Sequence, residues 1–413
     1  MKRNSTAIIT VLMALAFGMS AAHAQITIKM PDISIKVKPD KNKVTAIGKD
    51  TTTGKDTTNG NNTPTTVKTG GENIYKSQRP TATPVFLRNS IYIQAITHNE
   101  YWKMKGKSDH SSWVPRLRFE HFYNNDKRLN YTVEYFNPDG SPWFSETLEQ
   151  GTSAADRTVR FESPSPYGGV LDTKSTAAIG VFGFKITDQD TKQVLFQGKF
   201  KVGKFSTANG RPAPNKFDFF VDQDWLMPYG MIGFHHSDIE IGGIPPEVSV
   251  WIKGTVDAAE LEGRIFYKDK QLASTKDGSG SGVSDYDERS SQSAAAFAPQ
   301  NYWKRWQFQW NNFRFDNNGG FNRDYYPQAH YADKNPGEYT VKIYRNGTQI
   351  RELKFVIGPD GRFVVPGYSS QIFLPYHRII VPVKVIGAAE KWNTAAWTTE
   401  SFYGNPLAGF SIQ

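Results

Sequence analysis

The chain is expected to be all-β: two tandem β-sandwich domains behind an export signal and a flexible tether. Three observations predict this. Apolar and polar residues alternate in many short runs rich in aromatic and β-branched side chains. No long segment carries a helical period. The central region also states one pattern twice. Gly180-Val181-Phe182-Gly183-Phe184-Lys185-Ile186 is matched by Gly337-Glu338-Tyr339-Thr340-Val341-Lys342-Ile343, and Lys199-Phe200-Lys201-Val202-Gly203 by Lys354-Phe355-Val356-Ile357-Gly358. Upstream, Pro115, Leu117 and Phe119 parallel Pro246, Val248 and Val250, and Leu129, Val133 and Tyr135 parallel Leu261, Ile265 and Tyr267. A repeat of this period implies two copies of one domain.

The N-terminus has the form of an export signal. Lys2 and Arg3 precede an apolar run from Thr6 to Met19, and Ala22-His23-Ala24 offers a small-residue cleavage site, so residues 1–24 are the signal and the mature chain would begin at Gln25. The apolar run is shorter than the roughly 20 residues of a bilayer span. The absence of cysteine from the 413 residues excludes disulfides, thiol nucleophiles, thiolate metal sites and an acylated N-terminal cysteine. An exported protein of this kind must be held by its core, which fits a bacterial periplasmic or extracellular protein.

The net charge of +9 is unevenly placed. The signal carries +2, residues 25–80 carry ten Lys/Arg against five Asp/Glu, and only two positive charges in excess remain for residues 81–413. That argues against nucleic acid as a partner and leaves a solubilising linker or an envelope polysaccharide as the counterpart of the basic segment.

Residues 25–84 divide into an alternating segment, with Ile26, Ile28, Ile33 and Ile35 on one period-two face, and a Thr/Gly/Asn/Lys tract that cannot bury enough surface to order itself. The alternating segment either pairs within this chain or adds to a protein partner's sheet edge. Sandwich 1 covers residues 85–205, with strands at 90–97, 116–122, 129–136, 143–148, 158–162, 179–187 and 194–202. A Pro/Gly/Asn linker at 206–216 leads to sandwich 2 at 217–365, with strands at 217–221, 248–253, 261–268, 305–311, 337–344 and 349–357. Sandwich 2 carries a Ser/Gly/Ala-rich loop insertion at 277–299. Asn346-Gly347 is the preferred pair for a type I′ hairpin turn. Residues 366–413 belong to neither copy: a strand at 379–386, read as an edge or bulge because of Pro382, and an aromatic tail with Trp392, Trp397, Phe402 and Tyr403 that either packs or awaits a partner.

Pro336-Gly337-Glu338-Tyr339 with Val341 and Ile343, then Asn346-Gly347 and a return strand, resembles the last two strands of immunoglobulin-like and fibronectin-type sandwiches. The resemblance implies a scaffold on which function is grafted separately. The cysteine pair of antibody-type domains is missing, so no antibody-like role is implied.

The densest aromatic cluster runs from Trp303 to Phe315. Trp306, Phe308 and Trp310 share one strand face and read as core. Trp303, Tyr325 and Tyr326, flanked by Arg305 and Asp316, could instead stack on sugar rings. Asp285, Asp287 and Glu288 read as a solvated charge run, their spacing departing from a calcium loop. Asp222 and Asp224 share a face without a third ligand at metal spacing. His121 alternates with Leu117 and Phe119 and reads as a partly buried structural histidine. No nucleophile elbow, zinc-binding helix or phosphate loop occurs, and no metal or cofactor is implied. The expected function is a non-enzymatic structural or interaction protein at the bacterial cell surface or periplasm, with carbohydrate binding by the second sandwich as the alternative.

Overall fold

Alternation in the sequence becomes alternation in burial. Tyr131, Val133 and Tyr135 point into a core while Thr132, Glu134 and Phe136 lie on the other face, and Tyr339, Val341 and Ile343 repeat the arrangement. The computed structural model describes residues 80–98, 111–153, 158–167, 169–207, 217–234, 243–278, 280–315, 326–367, 369, 372–375, 377–387 and 390–394. All of them fall within one compact unit. The fold is all-β.

The first copy contains β1 (Val85–His98), β2 (Ser112–Phe122), β3 (Tyr131–Phe136), β4 (Pro142–Thr147), β5 (Glu149–Ser153), β6 (Thr158–Glu162), β7 (Gly180–Asp188), β8 (Val194–Ser206) and β9 (Phe217–Val221). The second contains β10 (Tyr229–Phe234), β11 (Pro246–Lys253), β12 (Leu261–Tyr267), β13 (Lys270–Ser274), β14 (Gly282–Glu288) and β15 (Trp303–Gln309). It continues through a short parallel pair, β16 (Phe313–Arg314) and β17 (His330–Tyr331), to β18 (Gly337–Arg345), β19 (Thr348–Ile357) and β20 (Ile379–Val385).

The repeat is one of topology as well as sequence. In the first copy the strand orders are β1-β2-β6-β5 and β4-β3-β7-β8-β9. In the second they are β10-β11-β15-β14 and β13-β12-β18-β19-β20, the same two orders strand for strand. Gly180 and Gly337 open the equivalent strands β7 and β18 with φ of 129° and 141°, a backbone conformation that glycine adopts readily. The copies differ at one join. β20 hydrogen-bonds to β10 and closes the second copy into one nine-stranded sheet. In the first copy β9 meets β1 through a side chain, with the Phe219 amide donating to Thr97 Oγ1 at 2.9 Å.

Four expectations are corrected. Phe217–Val221, expected to open sandwich 2, pairs with β8 and completes the first copy. The strand at 379–385, expected to lie outside both copies, is its counterpart in the second. It is also interior. Ile379–Pro382 pairs with β10 and Val383–Val385 with β19, so Pro382 sits where one ladder hands over to the other and its missing N–H leaves the pairing intact. The insertion at 277–299 is not a loop: it holds β14 and a helical turn, α1 (Gln292–Phe297), whose N-cap Ser291 accepts from the Ala294 amide.

Each copy has its own core. Phe119, Phe161, Phe182 and Phe184 belong to the first, and Val250, Trp306, Phe308 and Val341 to the second. Two-sided burial joins them. On β10, β11 and β20, residues of one face (Ile232, Val250, Val381) enter the second core, and their neighbours (Met231, Trp251, Ile380) enter the first. Every residue of β10 is consequently buried.

A network of buried ions lies where the two cores meet. Asp224, in the 3-10 turn between β9 and β10, pairs with Lys253 Nζ at 2.7 Å and accepts the Trp303 indole N–H at 3.0 Å and the Asn393 amide at 2.6 Å. Lys253 also donates through Nζ to Lys391 O at 2.9 Å and through its amide to Glu390 Oε2 at 2.9 Å. Glu390 is paired with Arg351 of β19, which is 0% exposed and also donates to the carbonyls of Ile350 and Trp251. Two cations and two anions balance, and each carboxylate receives several donors, which offsets desolvation. Arg351→Met should leave Glu390 a buried unpaired charge and lower unfolding free energy by about 3–5 kcal/mol. The Arg351→Met/Glu390→Met double variant should recover part of that loss in urea titrations.

Candidate functional site

Trp303 is 1% exposed, with its indole N–H on Asp224 and Lys253 Nζ at 5.0 Å from the ring centroid. It has no face to offer a sugar, which corrects the stacking platform expected from the sequence. Tyr326 is half-buried beneath the Arg314 guanidinium, 3.5 Å from its ring centroid. Trp392, expected among partner-binding residues, packs against the first core, because Glu390 and Asn393 on either side of it are held by the buried ions. Tyr325, Asp316, Trp397, Phe402 and Tyr403 lie outside the described residues, as do Ile26, Ile28, Ile33 and Ile35.

Of the acidic run 285–288, Asp285 is solvated, its side chain 63% exposed, while Asp287 and Glu288 are half-buried. Asp285 pairs with Lys304 at 2.8 Å, Glu288 accepts from the Tyr302 hydroxyl at 2.6 Å, and Asp287 pairs with Arg289 at 3.1 Å and Arg118 at 3.3 Å. Among the described residues no group of three His, Asp or Glu is placed to hold a metal ion. Asp222 is raised by burial and then by its neighbour Asp224, and its Oδ1 accepts the Asp224 amide at 2.9 Å.

Arg305 and Asp287 instead lead to a cleft of about 370 Å³ lined by residues of both copies. The first copy contributes Arg118 and Glu120 from β2 and Thr158 and Arg160 from β6. The second contributes Asp287 from β14, Arg289 just after it, and Arg305 from β15, while Arg378 arrives from the segment before β20. These side chains converge because each belongs to the outward face of its strand. Leu117 and Phe119 fill the first core, so Arg118 and Glu120 point away from it. Docking the copies brings two such outward faces together.

Five arginines thus share the cleft with two carboxylates, an excess of three positive charges. Burial pushes Asp287 up, but the guanidiniums of Arg289, Arg305 and Arg118 outweigh it and hold the carboxyl below its ordinary value. Burial lowers Arg118, and Arg289 lowers it further. Burial also lowers Arg305; Asp287 opposes the shift, while Arg378 and Arg289 add to it. Aromatic faces hold the cations in place. Tyr92 packs against Arg289 at 4.3 Å and Arg118 at 4.7 Å, and Tyr286 against Arg305 at 3.9 Å. Within the first copy, Glu120 pairs with Arg160 at 3.7 Å and accepts from Thr158 Oγ1 at 3.1 Å. The Nε of Arg160 and the Nε of Arg305 are both buried without a hydrogen-bond partner.

Of this set the sequence singled out only Arg305 and the acidic run. The alternation Arg116, Arg118, Glu120 marks an outward strand face, but nothing in the chain order announces that residues near 118, 160, 289, 305 and 378 meet. No family model, curated protein or solved structure matches the chain.

One further titratable group lies outside the cleft. His121 is 2% exposed, stacked on Tyr131 with ring centroids 5.2 Å apart, and neither ring nitrogen has a hydrogen-bond partner. Burial lowers its pKa to about 4, with Asp188 opposing weakly. The folded state therefore resists a proton that the unfolded chain accepts below about 6.5. Stability from this group should be full above that pH and fall as the pH drops toward 4, by about 2 kcal/mol at pH 5. His121→Phe should flatten that limb in urea titrations at stepped pH. An unchanged acid limb would mean that the buried imidazole does not control it.

Proposed function

We propose that the chain is an exported, non-catalytic interaction protein of the bacterial periplasm or cell surface, built on two immunoglobulin-like sandwiches. Strand order is the observation that carries this reading. An immunoglobulin-like sandwich sets A-B-E-D against a sheet containing C-F-G, to which some members add a strand beside C. The order β1-β2-β6-β5 against β4-β3-β7-β8 corresponds to that arrangement, and β10-β11-β15-β14 against β13-β12-β18-β19 corresponds to it again. β9 and β20 are then one added strand per copy, each beside the last strand of the motif. Such stacks serve as scaffolds whose edges and inter-domain surfaces recognise partners.

Export is supported by the basic, apolar and Ala22-His23-Ala24 regions at the N-terminus. The alternating segment from Ile26 to Lys38, on a polar tether, suits addition to a partner's sheet edge. Among the described residues no helix is long and apolar enough to cross a membrane.

Expression with its own signal in a bacterial host should yield a mature chain whose intact mass starts at Gln25. A cytoplasmic chain retaining Met1 would contradict export. Deleting Ile26–Lys38 should leave the unfolding midpoint unchanged and release the protein from the envelope fraction. Unchanged retention would remove the partner role of this segment.

A further inference from the structure

We propose that the arginine-lined cleft between the two copies binds a phosphate dianion, either free or carried as a monoester on a sugar. β2 and β11 align through Pro115 and Pro246, so Phe119 corresponds to Val250. Phe119 pairs with Phe161 and Val250 with Trp306 in the adjoining strands. One step along each ladder, Glu120 pairs with Arg160 and Trp251 with Arg305. Arg160 and Arg305 are therefore the same position of the two copies, and both line this cleft. Both also bury an Nε–H that has no acceptor. A buried donor without a partner costs about 1–3 kcal/mol, more when it is charged. Two such donors at equivalent positions of one cleft call for an acceptor with several oxygens.

The charge count points the same way. The cleft holds three positive charges in excess, more than the two in excess over the whole of residues 81–413. The other residues of 81–413 together carry one negative charge net, so the cationic excess is local to the cleft. The lysine-bearing surface around Lys342 and Lys354 shows the contrast. There Asp269, Glu338 and Glu352 match the cations, and Lys354 pairs with Glu338 at 2.8 Å.

Geometry selects among oxyanions. A carboxylate is planar and suits one guanidinium fork approaching from one side. Here the arginines come from three parts of the fold: Arg118 and Arg160 from the first copy, Arg289 and Arg305 from the second, and Arg378 from the segment ahead of β20. A tetrahedral dianion can accept from all three at once, and its charge offsets most of the excess. Arginine suits the role because its fork binds phosphate bidentately and stays charged when partly buried. The volume of about 370 Å³ exceeds a bare phosphate and lies in the range of small-molecule sites. Met231, Leu374 and Pro375 supply an apolar wall on which the carbon face of a sugar can rest.

The test is isothermal titration of the mature chain with inorganic phosphate and with glucose 6-phosphate at low ionic strength, with acetate and succinate as carboxylate controls. Phosphate should bind saturably, and Arg305→Gln and Arg160→Gln should each weaken binding by about tenfold or more. Lys342→Gln should bind as the parent does. If Arg305→Gln fails to fold, Arg305→Lys keeps the charge, loses the fork, and should show the same direction of loss. Glucose 6-phosphate binding about tenfold tighter than phosphate would identify a carried monoester, and equal binding would identify free phosphate; both support the site. No saturable phosphate binding, carboxylates binding where phosphate does not, or undiminished binding in either folded arginine variant would overturn it.

Discussion

Asp224 sits where the chain crosses from the first copy to the second, and its burial constrains the rest of the fold. Its carboxylate must find donors out of water, and it finds them on three other elements: Lys253 at the end of β11, Trp303 at the start of β15, and the backbone of Asn393. Lys253 then brings in Glu390, and Glu390 brings in Arg351 of β19. Segments far apart in sequence are thereby committed to one arrangement. Ionic networks of this kind contribute little net stability compared with apolar replacements, but removing one member is costly. Their effect here is to fix geometry: the turn that joins the copies and residues 390–393 are tied to β11, β15 and β19 of the second copy.

The duplicated topology explains why that docking has functional consequences. Each copy alone would expose an outward face on its β1-β2-β6 or β10-β11-β15 layer. Apolar positions of those faces, Met231 and Trp251 among them, are covered by the first core, which is why β10 is buried throughout. The polar positions meet nearby and form the cleft. Arg160 and Arg305, equivalent by descent of the pattern, come to share one cavity, with Arg118 and Arg289 ordered over Tyr92. A feature that would be an ordinary surface cation in one copy becomes part of a cation cluster in two.

Much of this was legible in the sequence. Period-two alternation located β2, β3, β7, β8, β12, β18 and β19, and Asn346-Gly347 does adopt positive φ at both residues, 48° and 79°, as the hairpin required. What was missed has physical causes. β10 reads as a continuous apolar run because both its faces are covered, so alternation gives no signal. β14 reads as a polar loop because it is the last strand of its sheet and its charges pair across β15 and with the other copy. β9 and β20 lie beyond breaker-rich stretches after β8 and β19, and such a break in pattern is indistinguishable in sequence from the end of a copy. The cleft was invisible because its five arginines come from five separate places in the chain, and the tryptophan offered as a sugar platform is occupied by Asp224.

The two copies form one mechanical unit, joined where Met231, Trp251 and Ile380 enter the first core and where Arg118 meets Asp287, with the cleft a consequence. Hydrogen exchange of the mature chain in stepped urea, resolved by peptide, tests it most directly, comparing β2–β3 of the first copy with β11–β12 of the second. The account predicts that both sets of amides become exchangeable at the same urea concentration, and that Arg351→Met shifts both together. Separate midpoints, with one copy protected after the other has opened, would contradict it.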